Sequence, residues 1–252
     1  MNDIRIIPLT GIPLIQPGDD LPHLLGDAIT RAGGLLEHDV LVLAQKIVSK
    51  AEDRYVDLET VTPSAHAKAV ALQCDKDPRL IEVILSESEA VVRVRPGLII
   101  TRHRVGFISA NAGVDRSNVA PDGIDRVLRL PENPDRSAQQ IRAALCQRFG
   151  VDLGVIIADS HGRPHRMGTV GVAIGLSGLP GLEDWRGRKD LFGYTLQHTE
   201  VGTADQIAAA ATLLLGQAAE SIPAVIVRGA IFEARDGSAR EINRPREMDL
   251  FP

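Results

Sequence analysis

Two short runs without a polar residue, Val40-Leu-Val-Leu-Ala44 and Val155-Ile-Ile-Ala158, constrain this chain most. Both alternate positions are apolar in each, the pattern of a strand buried on its two faces rather than one with a solvated face. Each run meets chemistry at its end. The first passes directly into Gln45-Lys-Ile-Val-Ser-Lys50, and the second into Asp159-Ser-His-Gly-Arg-Pro-His165.

The remaining elements fall around these runs. Ile4–Pro8 reads as a strand, Leu9 to Asp20 as a Gly/Pro-punctuated loop, and Leu21 to about Gly33 as a helix. Residues Ser64–Cys74, Pro78–Ser86 and Ser137–Phe149 have helical patterning, and Cys146 on the last of these reads as a core residue. Ala90–Val94, Leu98–Arg102 and Gly106–Ala110 read as a meander. Gly168 to Gly181 reads as packed chain where backbones approach closely. Thr203 and Gln206 have capping-box spacing before the Ala-rich Ile207–Leu215 run, which ends near Gly216–Glu220. Ala224–Val227 is a further strand, and 243–252 an irregular tail. Strands and helices mix without a βαβ rhythm, so the expected class is α+β. A β-rich unit over residues 88–200 is expected, inserted into a domain formed by 1–87 and 201–252.

Composition narrows the functions. The chain has 252 residues, 44% hydrophobic and 24% charged, enough for a large core and unlike a disordered protein. Its formal net charge of −5 gives it no general attraction for nucleic acid or anionic membranes, and 3% aromatic residues leave little for base-stacking platforms. No apolar run approaches the ~20 residues of a membrane span, and the N-terminus lacks a signal-peptide core, so a cytoplasmic location is expected. Cys74 and Cys146 form no metal or redox spacing. Of 28 basic residues only five are lysine, and two of those, Lys46 and Lys50, lie i,i+4 just past the first buried strand. A lysine there suits a phosphate, although an ordinary solvated helix face has the same pattern.

P-loop, dinucleotide-binding, HExxH and GxSxG motifs are absent. Acidic residues at strand ends are present: Asp115 in Asn111-Ala-Gly-Val-Asp-Arg-Ser-Asn118, and Asp159, with the Ser160 hydroxyl beside it. Two such carboxylates suit a hard divalent cation, and equally suit turns and caps. His161-Gly-Arg-Pro-His165 has zinc-like spacing, but Gly162 and Pro164 oppose a helix there. With Asp159 it defines the alternative of a His/Asp metal-dependent hydrolase. Arg163 and Arg166 suit an anionic substrate or surface ion pairs.

Longer motifs carry a resemblance. Ile12-Pro-Leu-Ile15 with Gln16-Pro-Gly-Asp-Asp, Ala44-Gln-Lys-Ile-Val-Ser-Lys-Ala-Glu52, Asn111–Val119, Asp159–Gly168, Gly168-Thr-Val-Gly-Val-Ala-Ile-Gly175 and Gly216-Gln-Ala-Ala-Glu220 are similar to the coenzyme F-420:L-glutamate ligases, in family order, over about residues 4–248. The resemblance is to the free-standing form of the family, without a nitroreductase-like domain. It implies a two-domain α+β fold in an intertwined homodimer. It also implies a GTP-dependent amide ligase that adds L-glutamate to the deazaflavin precursor coenzyme F-420-0, then extends by γ-linkage. The family's cofactors are Mn²⁺ or Mg²⁺, with K⁺ as activator.

Carried over by motif, Asp115 and Asp159 ligate one divalent ion, and Ser160 and Gln217 a second. Ile12, Pro13, Leu14, Ile15, Gln45, Lys50, Asn118, Gly216, Gln217 and Glu220 contact GTP. Asp115, Asp159 and Lys50 are then the catalytic set. The chain departs from the family at Gln206, where Glu is frequent, and at His161 and His165, where aromatic residues are frequent. A third reading is a nucleotide-binding scaffold without turnover.

Overall fold

In the computed structural model, which describes residues 3–119 and 124–249, the chain is a mixed α/β protein. The N-terminal part runs β1 (Arg5–Pro8), α1 (Leu21–Arg31), β2 (Asp39–Ala44), α2 (Gln45–Ala51) and β3 (Tyr55–Asp57). Two helices follow, α3 (Ala65–Cys74) and α4 (Pro78–Ser86), and then the meander β4 (Ser88–Arg95), β5 (Leu98–His103) and β6 (Ile108–Ala110). Next come β7 (Arg126–Leu128), α5 (Pro134–Phe149), and the long hairpin β8 (Leu153–Arg163) and β9 (Arg166–Ser177). The short pair β10 (Glu183–Asp184) and β11 (Glu200–Val201) precedes α6 (Thr203–Leu215) and β12 (Ala224–Arg228).

The two buried runs lie side by side. The main sheet has the order β1-β12-β2-β8-β9, and β2 and β8 are its parallel pair, with Val40 opposite Gly154 through Ala44 opposite Ala158. The alternation explains the layers. Leu41, Leu43, Val155, Ile157 and Ile226 join one core cluster with buried residues of α1 and α5. Val40, Val42, Ile156, Val225 and Val227 join another with Ala204, Ile207, Ala208 and Ala211 of α6. The sheet is therefore a central layer with helices on both faces. α6 sits close because β9 presents Gly171 to it: a Cβ there would collide with the Thr212 side chain and the Ala208 carbonyl.

A third cluster gathers Leu58, Val70, Ile81, Ile84, Ile99 and Val127 under α3, α4 and the meander. It is drawn from residues before and after 88. β8 and β9, expected inside an inserted β-rich unit, are strands of the main sheet.

Local chemistry accounts for most element limits. Asp20, Ser64, Asp77 and Asn133 each accept a backbone N–H at a helix start, and Pro follows at the first turn of α1, α4 and α5. The expected capping box at α6 does not form. Gly202 is the N-cap, and the Thr203 hydroxyl instead donates to the buried Glu183 carboxylate at 2.6 Å, leaving Gln206 exposed. A buried carboxylate needs a donor more than an exposed helix end does. Cys146 is half-buried at the rim of the first core, not inside it. Of the expected irregular tail, 243–249 carries only the 3₁₀ turn Arg246–Met248, and 250–252 lie outside the described residues. Among the described residues no helix is long and apolar enough to cross a membrane.

One buried group makes stability depend on pH. The His103 ring is 2% exposed, stacks on Phe107 at 5.0 Å, and accepts the Val105 N–H through Nδ1. Burial outweighs the neighbouring Glu87 charge and pushes the imidazole from 6.5 down to about 4. The unfolded chain therefore binds the extra proton between these values. The contribution is present in full above pH 6.5 and is lost as pH falls toward about 4, on the order of 3 kcal/mol in total. Urea unfolding from pH 7 to pH 4 is expected to show this slope in the native protein and a flatter one in His103→Gln. Equal slopes would remove His103 as its source.

Candidate active site

The strand β2 ends at Ala44 and turns at once into α2, while its parallel neighbour β8 continues past Ala158. Asp159 and Ser160 are thus not at a strand terminus, as the apolar run suggested. β9 extends the pairing, with Asp159 opposite Val172 and His161 opposite Val170. Asp159 and Ser160 are the first residues beyond the parallel pairing, level with the carboxyl end of β2. In open sheets this is where ligands collect.

A cavity of about 910 Å³ opens at that point. Gln45, Lys46 and Lys50 reach it from α2, Asp159 and Ser160 from β8, Ile12–Ile15 from the loop after β1, and Gly216–Glu220 from the loop after α6. Asn118 completes the wall. Every residue that the resemblance assigns to GTP or metal lines this cavity except Asp115, which reaches it through a neighbour: the Lys46 ammonium lies 2.8 Å from the Asp115 carboxylate and 2.9 Å from the Ser117 hydroxyl. The i,i+4 lysines do share a face, and Lys50 donates to the Asn118 carbonyl at 2.7 Å. Both hold the 115–118 loop. Asn118 in turn donates to the Ala218 carbonyl at 2.7 Å, so three distant segments close around one space.

The backbone accommodates this closure at strained points. Asn111, Ala112 and Asn118 adopt positive φ, which Asn tolerates and Ala pays for elsewhere in packing. Asp115 is pinned by two backbone hydrogen bonds to Leu128 of β7, at 3.0 and 2.9 Å. Gly216, with φ of 72°, has no room for a Cβ, because the Glu220 carboxylate folds back over it to accept the Ala218 N–H at 2.8 Å.

The electrostatics suit an anionic ligand. Burial, aided by Lys46, pushes the Lys50 ammonium below the usual lysine value, a shift that bound phosphate would oppose. Burial acts to raise the Asp115 carboxyl, but the Lys46 contact and the Ser117 N–H outweigh it and hold the group below the usual range. Gln217 donates to the Ser160 hydroxyl at 2.8 Å, and a half-turn of its amide would present the carbonyl oxygen instead. The candidate ligand atoms are therefore all hard oxygens, the set a divalent Mg²⁺ or Mn²⁺ prefers.

His161 points into this arrangement but His165 does not. His161 Nε2 lies 3.0 Å from the Asp159 carboxylate, and its ring packs on Phe107 at 5.1 Å. His165 is exposed in the β8–β9 turn, with φ of 59°. Among the described residues, no three His, Cys, Asp or Glu side chains gather as a metal-binding group, as the hydrolase alternative requires.

Sequence reasoning missed Tyr55, Asp57 and Arg126, which also line the cavity. The local signal is slight: Tyr55-Val-Asp57 places a valine between two polar-tipped residues, Arg126-Val-Leu128 does not alternate, and the central valine of each enters the third core.

The full-length pattern matches known proteins. A sequence model described as F420-0:Gamma-glutamyl ligase matches residues 10–229, a span that takes in all of these site segments. The chain belongs to this family. Relatives named Coenzyme F420:L-glutamate ligase agree with it nearly end to end. The one from Methanothermobacter thermautotrophicus is 45% identical, covering 98% of each chain. That from Methanopyrus kandleri is 48% identical over 98% of this chain and 97% of its own. That from Archaeoglobus fulgidus is 41% identical over 98% and 96%. At the level of family, the resemblance carried by the motifs is thus borne out.

Proposed function

We propose that this F420-0:gamma-glutamyl ligase family member uses GTP to join L-glutamate to coenzyme F-420-0, then extends the product by γ-linkage. The observation that carries the reading is the convergence of Gln45, Lys50, Asn118, Asp159, Ser160 and the 216–220 loop on one cavity, from segments that are far apart in sequence.

The chemistry follows from the difficulty of the bond. A carboxylate does not react with an amine at neutral pH. In the first step a carboxylate oxygen of the precursor attacks the γ-phosphorus of GTP, the bridging β–γ P–O bond breaks, GDP leaves, and an acyl phosphate forms. In the second, the neutral α-amine of glutamate attacks the acyl carbon, the acyl C–O bond breaks, inorganic phosphate leaves, and nitrogen gives up a proton to yield the amide. Such transfers need alignment and charge balance rather than a protein nucleophile.

Lys50 balances phosphate charge, and the loops at 12–15 and 216–220 enclose the nucleotide. Asp115 and Asp159 would hold one Mn²⁺ or Mg²⁺, and Ser160 and Gln217 a second, supplying charge neutralisation at the transferred phosphoryl group. His161 orients Asp159 across their 3.0 Å contact. Lys46 holds Asp115 in place.

The test is incubation of the protein with GTP, Mn²⁺, glutamate and the deazaflavin precursor, followed by mass spectrometry. Successive glutamate additions with matching GDP release are expected. Hydrolysis of a substrate without an amine acceptor would favour the metallohydrolase, and nucleotide binding without turnover would favour the scaffold reading.

A further inference from the structure

The short ribbon of β3 and β7 gives the cavity a wall that the ligand assignments leave unused. The strands are antiparallel, with Tyr55 opposite Leu128, Val56 opposite Val127, and Asp57 opposite Arg126. Opposed residues share a face of a sheet. Val56 and Val127 turn toward the third core, and Tyr55, Asp57 and Arg126 line the cavity.

The ribbon also has a direction. Leu128 carries the backbone pair with Asp115, so that end adjoins the groups assigned to phosphate and metal. Asp57 and Arg126 are two residues farther along, roughly 7 Å at the rise of a strand. One Asp57 carboxylate oxygen accepts the Glu59 N–H at 2.9 Å, which fixes the side chain, and among the described residues the other takes no hydrogen bond. The Arg126 guanidinium lies over the Tyr55 ring, 5.9 Å from its centre.

We propose that Asp57 and Arg126 read the guanine base: the Asp57 carboxylate accepts from N1–H and the 2-amino group, and Arg126 donates to O6. This assignment rests on the nucleotide reading above. Adenine reverses the pattern at both positions. Its N1 lone pair would face a carboxylate, and its 6-amino group would face a guanidinium. A site built from this pair rejects ATP by unmet and repelled partners, a stronger source of discrimination than shape alone.

Titration calorimetry with GTP, inosine triphosphate and ATP on the full chain tests it. Inosine lacks only the 2-amino group. The native protein is expected to bind GTP best, inosine triphosphate about tenfold more weakly, and ATP weakest. Asp57→Asn should weaken GTP by about 10- to 100-fold and erase the difference between GTP and inosine triphosphate. Arg126→Gln should weaken both of these alike, since both carry O6, and should strengthen ATP binding if anything, since the guanidinium that opposes its 6-amino group is gone. A thermal unfolding midpoint close to native shows that each variant is folded.

Equal losses for all three nucleotides in Asp57→Asn would mean a structural role and overturn the assignment. So would a native preference pattern in Asp57→Asn, or its loss instead in Asp53→Asn, whose carboxylate also lines the cavity. In these cases a native preference for GTP would leave the nucleotide reading standing. A native protein that does not prefer GTP to ATP would overturn both.

Discussion

Asp159→Asn is expected to lower GTP-dependent glutamylation by on the order of 10³-fold, and Asp115→Asn to do the same, with little change in folding stability. Each substitution keeps the shape and removes one negative charge. On the proposed roles that charge holds a divalent ion against the transferred phosphoryl group, where an amide oxygen is a far weaker ligand. The fold has little at stake. Asp159 sits within a strand whose backbone pairing with β9 is independent of its side chain. Asn can still accept from His161. Asp115 keeps its two backbone bonds to Leu128, and its ion pair with Lys46 is partly exposed, so its loss costs at most about 1 kcal/mol. The measurement is the rate of glutamate addition by mass spectrometry at several Mn²⁺ concentrations, beside a urea unfolding curve. Rates near native in either variant would sink its assignment as a ligand.

The residues behind that prediction were legible in the sequence for a physical reason. Val40–Ala44 and Val155–Ala158 are apolar at both alternate positions, so their burial could be read without knowing their neighbours. Their pairing brings the residues that follow them, Gln45 and Asp159, to one edge. The lysines were legible as an i,i+4 pair on a seven-residue helix. What was hidden depends on partners distant in sequence. β8 runs five residues beyond its apolar segment only because β9 folds back along it. β3 and β7 have three residues each, too few for a period, and each makes sense only opposite the other. Thr203 looked like a cap until Glu183, 20 positions earlier, claimed its hydroxyl. Asp57 and Arg126 escaped notice because a polar residue beside a core valine is ordinary until a cavity lies in front of it.

Glu87→Ala is expected to cost about 3–5 kcal/mol of folding stability, the largest loss from any single side chain considered in this structure. Glu87 caps the C-terminal end of α4 with its carboxylate 2% exposed. Arg104 donates to it at 2.7 Å, Arg54 at 3.2 Å and Arg129 at 3.2 Å. Burial alone would raise the carboxyl, but these three guanidinium groups hold it below the usual range, so it is ionised at neutral pH. Removing it leaves three cations converging on a site that water barely reaches. That penalty exceeds the value of any one contact. The contribution is present above the usual Glu range and is lost as pH falls through the lowered value, so the deficit of the variant should shrink in acid. Glu87 also joins two parts of the fold. Arg54 spans from its carboxylate to the carbonyl of Leu130, a residue of the main core, while α4 belongs to the third cluster. Urea unfolding at pH 7 measures the effect, and a loss below about 1 kcal/mol would show that the arginines find other partners. Arg129 directly follows Leu128, the residue that holds Asp115, so Glu87 supports the proposed ligand without touching it. Under conditions where Glu87→Ala is still folded, its glutamylation rate per folded molecule should therefore stay far above that of Asp115→Asn, which separates support of the site from a part in its chemistry.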